Sequence, residues 1–452
     1  MKDNALARLD KINWSPYLVK IILLLALGLF FEYYDIFITG YIAPSLLKSS
    51  IFNNSTLGLM GLNDIALFVS CMFLGMWCGT LLLGYIADKY GRKSIFTWSL
   101  VWYSLCTFIM AFQTTKFGFN LWRFLASIGL GVEMVTITSY ISELVPSKYR
   151  GRASAIAMVI AFMAVPVVAL LSWLLSTHTY YGIEGFRFVI IIGSIGAIIV
   201  WFIRLGIPES PRWLYTHGKQ EQAISIIKSL EQKTNTTYLA SEELLDVLPE
   251  QLKTYSDIFK PPLIKSTMIL MIFHILQTIG YYGFATWGPL ILLSKGITIT
   301  KSLQYSFIIA IANPIAPMLY SLFADHIQRK RQMVVIPLLV ALFGILFALQ
   351  TTSIWIITFG VCLTLSINFL SCTFLIYQTE LYPTRIRSTA VGFVYSWSRL
   401  SAVFSGFIIA FIIHSFNTIT LFIFIAACML IISVIVLFYG RNTNDTQLEK
   451  IN

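Results

Sequence analysis

Charge is what this sequence has least of. Only 12% of its 452 residues are charged, while 57% are apolar; soluble domains carry about 25% charge. A water-soluble globule is excluded for want of polar surface, and a disordered chain by the apolar excess. The six cysteines, Cys71, Cys78, Cys106, Cys362, Cys372 and Cys428, form no CxxC pair and have no histidine at ligand spacing. They read as small packing residues, so neither a disulfide framework nor a metal site is expected. No nucleophile with its base, metal cluster or phosphate loop stands out, so no enzyme activity and no cofactor are expected. With no nucleotide-binding domain, any transport must be secondary. The polar leader, up to Val19, lacks a small-residue cleavage site and reads as a cytoplasmic lead-in to the first span, not a removed signal.

What is present is hydrocarbon in span-sized blocks. One crossing takes about 20 apolar residues. Twelve blocks can be marked, at roughly 19–44, 63–87, 94–113, 117–141, 153–175, 186–207, 265–293, 302–323, 333–350, 353–376, 388–414 and 418–439. A polar interval divides them six and six. The expected organisation is a six-helix bundle at 1–207, a cytoplasmic linker with short helices at 208–262, and a second bundle at 263–452.

Basic residues set the orientation. With the N-terminus inside, the inside segments hold 25 of the 32 Lys and Arg, against Lys48, Lys116, Lys295 and Lys301 in the outside loops. Both termini are therefore expected in the cytoplasm, in a multi-pass protein of the cell membrane. The net charge of +11 is then a topology signal, and no nucleic-acid partner is expected.

Two motifs recur at one offset. Asp88-Lys89-Tyr90-Gly91-Arg92-Lys93 follows the second block, and Asp325-His326-Ile327-Gln328-Arg329-Lys330 the eighth. Glu143-Leu-Val-Pro146-Ser-Lys-Tyr-Arg150-Gly151 follows the fourth, and Glu380-Leu-Tyr-Pro383-Thr-Arg-Ile-Arg387 the tenth. Both pairs are 237 residues apart, so the chain reads as two related six-helix halves. With the stretch Pro208-Glu209-Ser210-Pro211-Arg212, these motifs resemble the major facilitator superfamily, in its sugar-porter and metabolite:proton symporter branch. The resemblance covers nearly the whole chain and implies an all-α membrane protein with two pseudo-symmetric bundles. The second loop departs from the pattern, with Gln328 where the first has Gly91 and Ser321 where it has Gly84.

The loop motifs place carboxylates beside arginines at helix ends. Asp88, Glu143, Glu209, Asp325 and Glu380 stand among Arg92, Arg150, Arg212, Arg329 and Arg387. Pairs between the halves would close a cytoplasmic gate, because the guanidinium fork binds carboxylates bidentately.

A charge inside hydrocarbon is a functional candidate by default. The set is Glu32, Asp35, Arg123, Glu133, Arg187 and Arg399. At 1.5 Å per residue, Asp35 lies about 6 Å from the outside and Arg123 about 9 Å, so the two can pair. The resemblance matches Asp35, in Tyr33-Tyr34-Asp35, and Arg123, ahead of Gly129 and Gly131, to the family's proton-coupling pair. The second half has Ile272 and Gly360 at the corresponding positions, a functional asymmetry. Glu32 is a second carboxylate for coupling, and Glu133 lies toward the inner gate or cavity floor. Arg399 is near midplane, where it would meet an anionic substrate or a carboxylate. Arg187, near a span start, is expected to snorkel outward.

The substrate cavity is expected to take Tyr34, Glu133, Gln277, Tyr281, Tyr282, Trp287, Trp397 and Arg399. Glycines and Pro289 in the seventh block allow a broken helix there. The fifth block has no amide, unlike the sugar porters it resembles, which favours a small organic acid over a hexose. The expected function is proton-coupled symport of a carboxylate-bearing metabolite by a monomer in the lipid bilayer, with the proton as the coupling ion. A sugar or polyol symporter and an efflux antiporter are the alternatives. A transporter-like receptor is disfavoured by the short tail after Arg441.

Overall fold

The computed structural model describes residues 5–52, 63–204, 206–234, 236, 258–261, 263–323, 326–382 and 387–442. Side chains at 5–7, 81–90, 92, 96, 134–139, 142, 147, 204, 216, 323 and 387–389 are outside that description. The structure is a bundle of long helices. A short α1 (Ala5–Asp10) precedes α2 (Pro16–Lys48), α3 (Asp64–Tyr90), α4 (Arg92–Met110), α5 (Lys116–Leu144), α6 (Arg150–Leu175) and α7 (Gly185–Arg204). The linker carries α8 (Pro211–Thr216) and α9 (Gln220–Lys233). The second half holds α10 (Leu263–Ala285), α11 (Gly288–Ser294), α12 (Ile299–Ala310), α13 (Ala312–Phe323), α14 (Arg329–Leu349), α15 (Ser353–Glu380), α16 (Arg387–Ser415) and α17 (Thr418–Tyr439). The end of the bundle bearing α8 and α9 is called the linker face, and the opposite end the far face.

Local chemistry sets the helix ends. Ser15 Oγ accepts from the Leu18 N–H at 3.3 Å with Pro16 in the first turn, and Thr115 Oγ1 accepts from Gly118 N–H at 3.1 Å; each satisfies an orphan donor. A two-residue hairpin joins Thr179–Tyr180 to Ile183–Glu184. Its turn residues Tyr181 and Gly182 have φ of 51° and 79°, as a type I′ turn requires.

Two blocks are broken within their length, the seventh where its glycines and Pro289 allow a break, the eighth where the sequence marks an unbroken span. The seventh breaks between Ala285 and Gly288, just ahead of Pro289. The eighth breaks at Ile311, and the cause is Pro314, which has no N–H to offer the carbonyl of Ala310. The Asn313 side chain supplies it instead, donating from Nδ2 to Ala310 O at 2.9 Å.

The helix pairing repeats between halves. In the first, α2 packs on α6, α3 on α5, and α4 on α5 and α7. In the second, α10 packs on α16, α13 on α15, and α14 on α15 and α17. This is the two-bundle arrangement that the 237-residue offset implies. Helices approach closely where glycine permits: a Cβ at Gly79 would strike the Ile128 carbonyl, and one at Gly131 the Met76 carbonyl.

Polarity is inverted relative to a soluble protein. Glu32, Asp35, Arg123, Glu133 and Arg399 are all buried, while Trp98, Phe202 and Phe438 are more than 60% exposed. A bilayer demands this arrangement. On the described residues alone, nine helices are long and apolar enough to cross one.

The halves meet toward the far face. Gly40 of α2 lies against Thr286, where a Cβ would strike the Thr286 carbonyl. Ser70 Oγ donates to Val403 O at 2.7 Å, joining α3 to α16. Trp173 stacks on Phe307 with ring centroids 5.9 Å apart, joining α6 to α12.

Candidate functional site

Three helices converge on Asp35. Arg123 of α5 donates from Nη1 to Asp35 Oδ2 at 2.8 Å and from Nη2 to the Asp35 carbonyl at 2.6 Å. Thr107 of α4 donates to Asp35 Oδ1 at 3.1 Å. Arg123 is 0% exposed and Asp35 4%. The pair holds α2, α4 and α5 in register, and removing one partner from such a buried pair costs about 3–5 kcal/mol.

A second charged group lies between the halves. Arg399 of α16 donates from Nη1 to Tyr282 Oη at 2.8 Å and from Nη2 to Tyr395 Oη at 3.2 Å. Its guanidinium lies over the Tyr395 ring, 5.3 Å from the centroid. Tyr282 packs edge-on against Phe73 of the first half at 4.5 Å and against Tyr281 at 5.0 Å. Across from it, buried Glu32 reaches Tyr33 and Tyr282 electrostatically, and Tyr33 reaches Arg399. Deeper in the second half, His274 Nε2 shares a 3.0 Å hydrogen bond with Gln378 Oε1, and Thr278 donates to Ser398 Oγ at 2.8 Å.

The sequence misassigns two of its cavity residues. Tyr34 turns away from the cavity: its hydroxyl donates to Val189 O at 2.9 Å and its ring packs on Gly193 of α7. Successive residues on a helix point about 100° apart, and Tyr33 occupies the central side instead. Trp287 is buried at the turn between α10 and α11 and lines a far-face pocket with Asn63 and His414. Gln277 is buried in α10, Trp397 is half-buried in α16, and Glu133 is buried in α5. Tyr33, Tyr395, His274, Gln378 and Ser398 escape the sequence reading. Tyr395 carries a readable signal, since it is four residues before Arg399 and shares its helix face.

A cavity continues from this cluster toward the far face. Tyr281 lines it together with Phe37, Tyr41 and Phe284, beside Asn313 and Asn368. The amides come from α13 and α15 and not from the fifth span.

The linker face distributes the gate residues within each half. Glu209 accepts from the Lys93 backbone N–H at 3.0 Å and from Ser210 N–H at 2.9 Å. It thereby sets an anion at the N-terminus of α4, where the helix dipole favours one. Arg212 donates to Asp10 at 3.0 Å, and Arg150 Nη2 lies 3.8 Å from the same carboxylate. Arg150 Nε also donates to Val145 O at 3.2 Å. Arg329 and Glu380 approach to 3.8 Å, both in the second half. Glu143 is half-buried. Asp325 lies outside the described residues, as do the side chains of Asp88, Arg92 and Arg387. The sequence reading pairs these groups across the halves; the ion pairs of Arg150, Arg212 and Arg329 named above use a leader residue or a partner in the same half. Arg187 is a far-face clamp, donating to Glu184 at 3.0 Å and to the carbonyls of Ala111 and Gln113.

Comparison with known proteins gives one family. The profile described as "Sugar (and other) transporter" matches residues 21–452. YyaJ of Bacillus subtilis, named for metabolite transport, is 29% identical over 450 residues, covering 99% of this chain and 97% of its own. The niacin transporter NiaP of Acinetobacter baylyi is 23% identical over 447 residues, covering 98% and 99%. Among solved structures, a D-xylose–proton symporter superposes with a TM-score of 0.74 at 17% identity, covering 96% of this chain and 100% of that one. That likeness establishes the fold.

Proposed function

The chain belongs to the sugar (and other) transporter family of the major facilitator superfamily, and from that premise we propose that it imports a small carboxylate-bearing metabolite together with a proton. It is a multi-pass membrane transporter and not an enzyme. The observation that carries the substrate reading is Arg399, a 3% exposed cation held between two phenol hydroxyls at the junction of the halves. A substrate carboxylate would take the guanidinium fork bidentately, with Tyr33, Tyr281 and Tyr282 as walls for a ring. Niacin, named for one relative, is a ring acid of this kind.

Coupling is assigned to Asp35 and Arg123, with Glu32 as a second carboxylate whose charge competes with the substrate for Arg399. A proton on Asp35 would free Arg123 from its 2.8 Å contact and loosen α2 against α5. The moving bodies are 1–207 and 263–452, joined by 208–262. The linker face is the cytoplasmic one, because the basic residues crowd there. The far-face contacts through Gly40, Ser70 and Trp173 then close the outside, and the cavity is reached from within. A single chain carries both halves, so a monomer suffices.

A sugar or polyol is the second reading, favoured by the amides of Asn313 and Asn368 in the cavity wall. Counterflow into proteoliposomes loaded with nicotinate, benzoate or D-xylose separates the two. Exchange of the ring acids, lost in Arg399→Ala, supports the carboxylate reading. Exchange of D-xylose alone replaces it with the sugar or polyol reading.

A further inference from the structure

A cluster of cations on the linker face is held against rings and not against carboxylates. The leader, the start of α2, the start of α6 and the end of α9 meet there. Residues 8–20, 148–152 and 226–236 carry eight Lys and Arg against two carboxylates, Asp10 and Glu231. Both carboxylates are already engaged, Asp10 by Arg212 and Arg150, and Glu231 by Arg8. Three of the other cations lie on aromatics. The Arg152 guanidinium sits over the Trp14 ring, 4.4 Å from its centroid, and Lys148 Nζ lies over Tyr149 at 5.6 Å. Trp14 and Tyr149 are in turn 5.4 Å apart. Lys233 Nζ is 4.9 Å from the Tyr17 centroid and donates to the Tyr17 hydroxyl at 3.3 Å. A ring attracts a cation without neutralising it. Arg152, Lys148 and Lys233 are exposed, as are Lys11 and Lys20, so the patch presents charge outward.

Its place on the bundle says what it faces. Arg152, Met163 and Leu174 stand 11 residues apart on α6, close to three whole turns each, and so share one helix face. Met163 and Leu174 are 48% and 50% exposed, which in a membrane protein means contact with lipid chains. From Arg152 to Leu174 the helix rises about 33 Å, near the hydrocarbon thickness of a bilayer. Arg152 therefore stands at the headgroup edge of a lipid-facing stripe. On α2, exposed Lys20 is likewise followed by exposed Leu23. Trp14, Tyr17 and Tyr149 lie at that same edge, where amphipathic rings settle. Orientation alone calls for basic residues on this side; it does not call for them to be stacked on rings above a lipid-facing stripe.

We propose that Arg152, Lys148 and Trp14, with Lys11, Lys20 and Lys233 around them, form a binding site for the headgroup of an anionic phospholipid in the leaflet at the linker face. The Arg152 fork suits the phosphate, the lysines add attraction, and the acyl chains run along the Met163 face of α6. Because the leader supplies Trp14, a bound lipid pins the leader to α6.

The test is native mass spectrometry of the purified full chain titrated with phosphatidylglycerol, phosphatidylcholine or inorganic phosphate. The wild type should hold phosphatidylglycerol more tightly than phosphatidylcholine. One cation near an anionic lipid surface is worth about a fivefold change in affinity. Lys148→Gln with Arg152→Gln should therefore weaken phosphatidylglycerol binding about 25-fold and leave phosphatidylcholine unchanged. Lys301→Gln, on the far face, should alter neither. If the double variant fails to fold, Lys11→Gln with Lys20→Gln gives the same reading on two exposed side chains. Equal affinity of the wild type for the two lipids, phosphatidylglycerol binding insensitive to these variants, or an equal loss in Lys301→Gln overturns the site. Inorganic phosphate held as tightly as phosphatidylglycerol overturns the lipid assignment.

Discussion

Arg212 donates from Nη2 to both carboxylate oxygens of Asp10, each at 3.0 Å. An arginine that the sequence assigns to the gate is thus tied to the leader helix α1. The same helix is held to the linker by Arg8, whose Nε and Nη2 bind the Glu231 carboxylate at 2.9 and 2.6 Å. Two cross-links, each more than 200 residues long in sequence, strap α1 across α8 and α9 on the first half.

Asp10→Asn should loosen that strap. Asp10 is about a third exposed, so the pair is worth only about 0.2–1 kcal/mol. Amide exchange in residues 8–14 should accelerate by a factor of about 1.4–5, measured by hydrogen–deuterium exchange in detergent. Unchanged exchange would assign the anchoring to Glu231 alone.

Gly91→Ala should destabilise the linker face. Gly91 has φ of 100°, and an added Cβ would sit 2.6 Å from Glu209 Oε2. Backbone strain of this kind costs about 1–3 kcal/mol, so the thermal midpoint should fall. Glu209→Gln removes only the favourable charge at the α4 N-terminus, about 0.3–1 kcal/mol, and should be milder. A Gly91→Ala protein as stable as wild type would show that this loop relaxes freely.

Arg399→Lys should not rescue substrate affinity. One ammonium cannot reproduce the fork that reaches Tyr282 and Tyr395 together. Losing a hydrogen bond to a charged group costs about 1.5–3 kcal/mol, so KM should rise by a factor of about 10 to 150. Initial uptake rates over a substrate series give the value. A lysine variant with wild-type KM would remove Arg399 from the binding site.

Gly40→Val should hold the far face apart, because α2 can then no longer lie against the Thr286 carbonyl. A cysteine at Ser306, in a background without the six native cysteines, lines the cavity. It should react faster with an impermeant thiol reagent added from the far side when Gly40→Val is present. Equal rates would mean that the Gly40 contact does not close that face.

The spans were legible because hydrocarbon thickness is a hard constraint on length and composition. Asp35 and Arg123 were legible as a pair because two charges at one depth can scarcely avoid each other. Which tyrosine faces the cavity was not, since Tyr33 and Tyr34 differ only by a 100° turn and both flank charged residues. Asp10 was missed because a leader outside the spans gives no depth to compare. The amide network was missed for a different reason. It carries no intramembrane charge, yet an Asn-Pro step inside an apolar block signals a freed carbonyl that some side chain must meet. Asn368, 55 residues away, becomes visible only once Asn313 has been placed.

In the proposed mechanism Asp35 is the group that binds and releases the coupled proton. Uptake into proteoliposomes with and without an imposed pH gradient, beside counterflow with no gradient, reads that claim directly. Asp35→Asn keeps a polar side chain at the Arg123 contact but has no titratable group. This variant should still exchange substrate in counterflow and no longer accumulate it against its gradient when a pH gradient is imposed. Gradient-driven accumulation at the wild-type level in Asp35→Asn would contradict it and move the coupling site to Glu32.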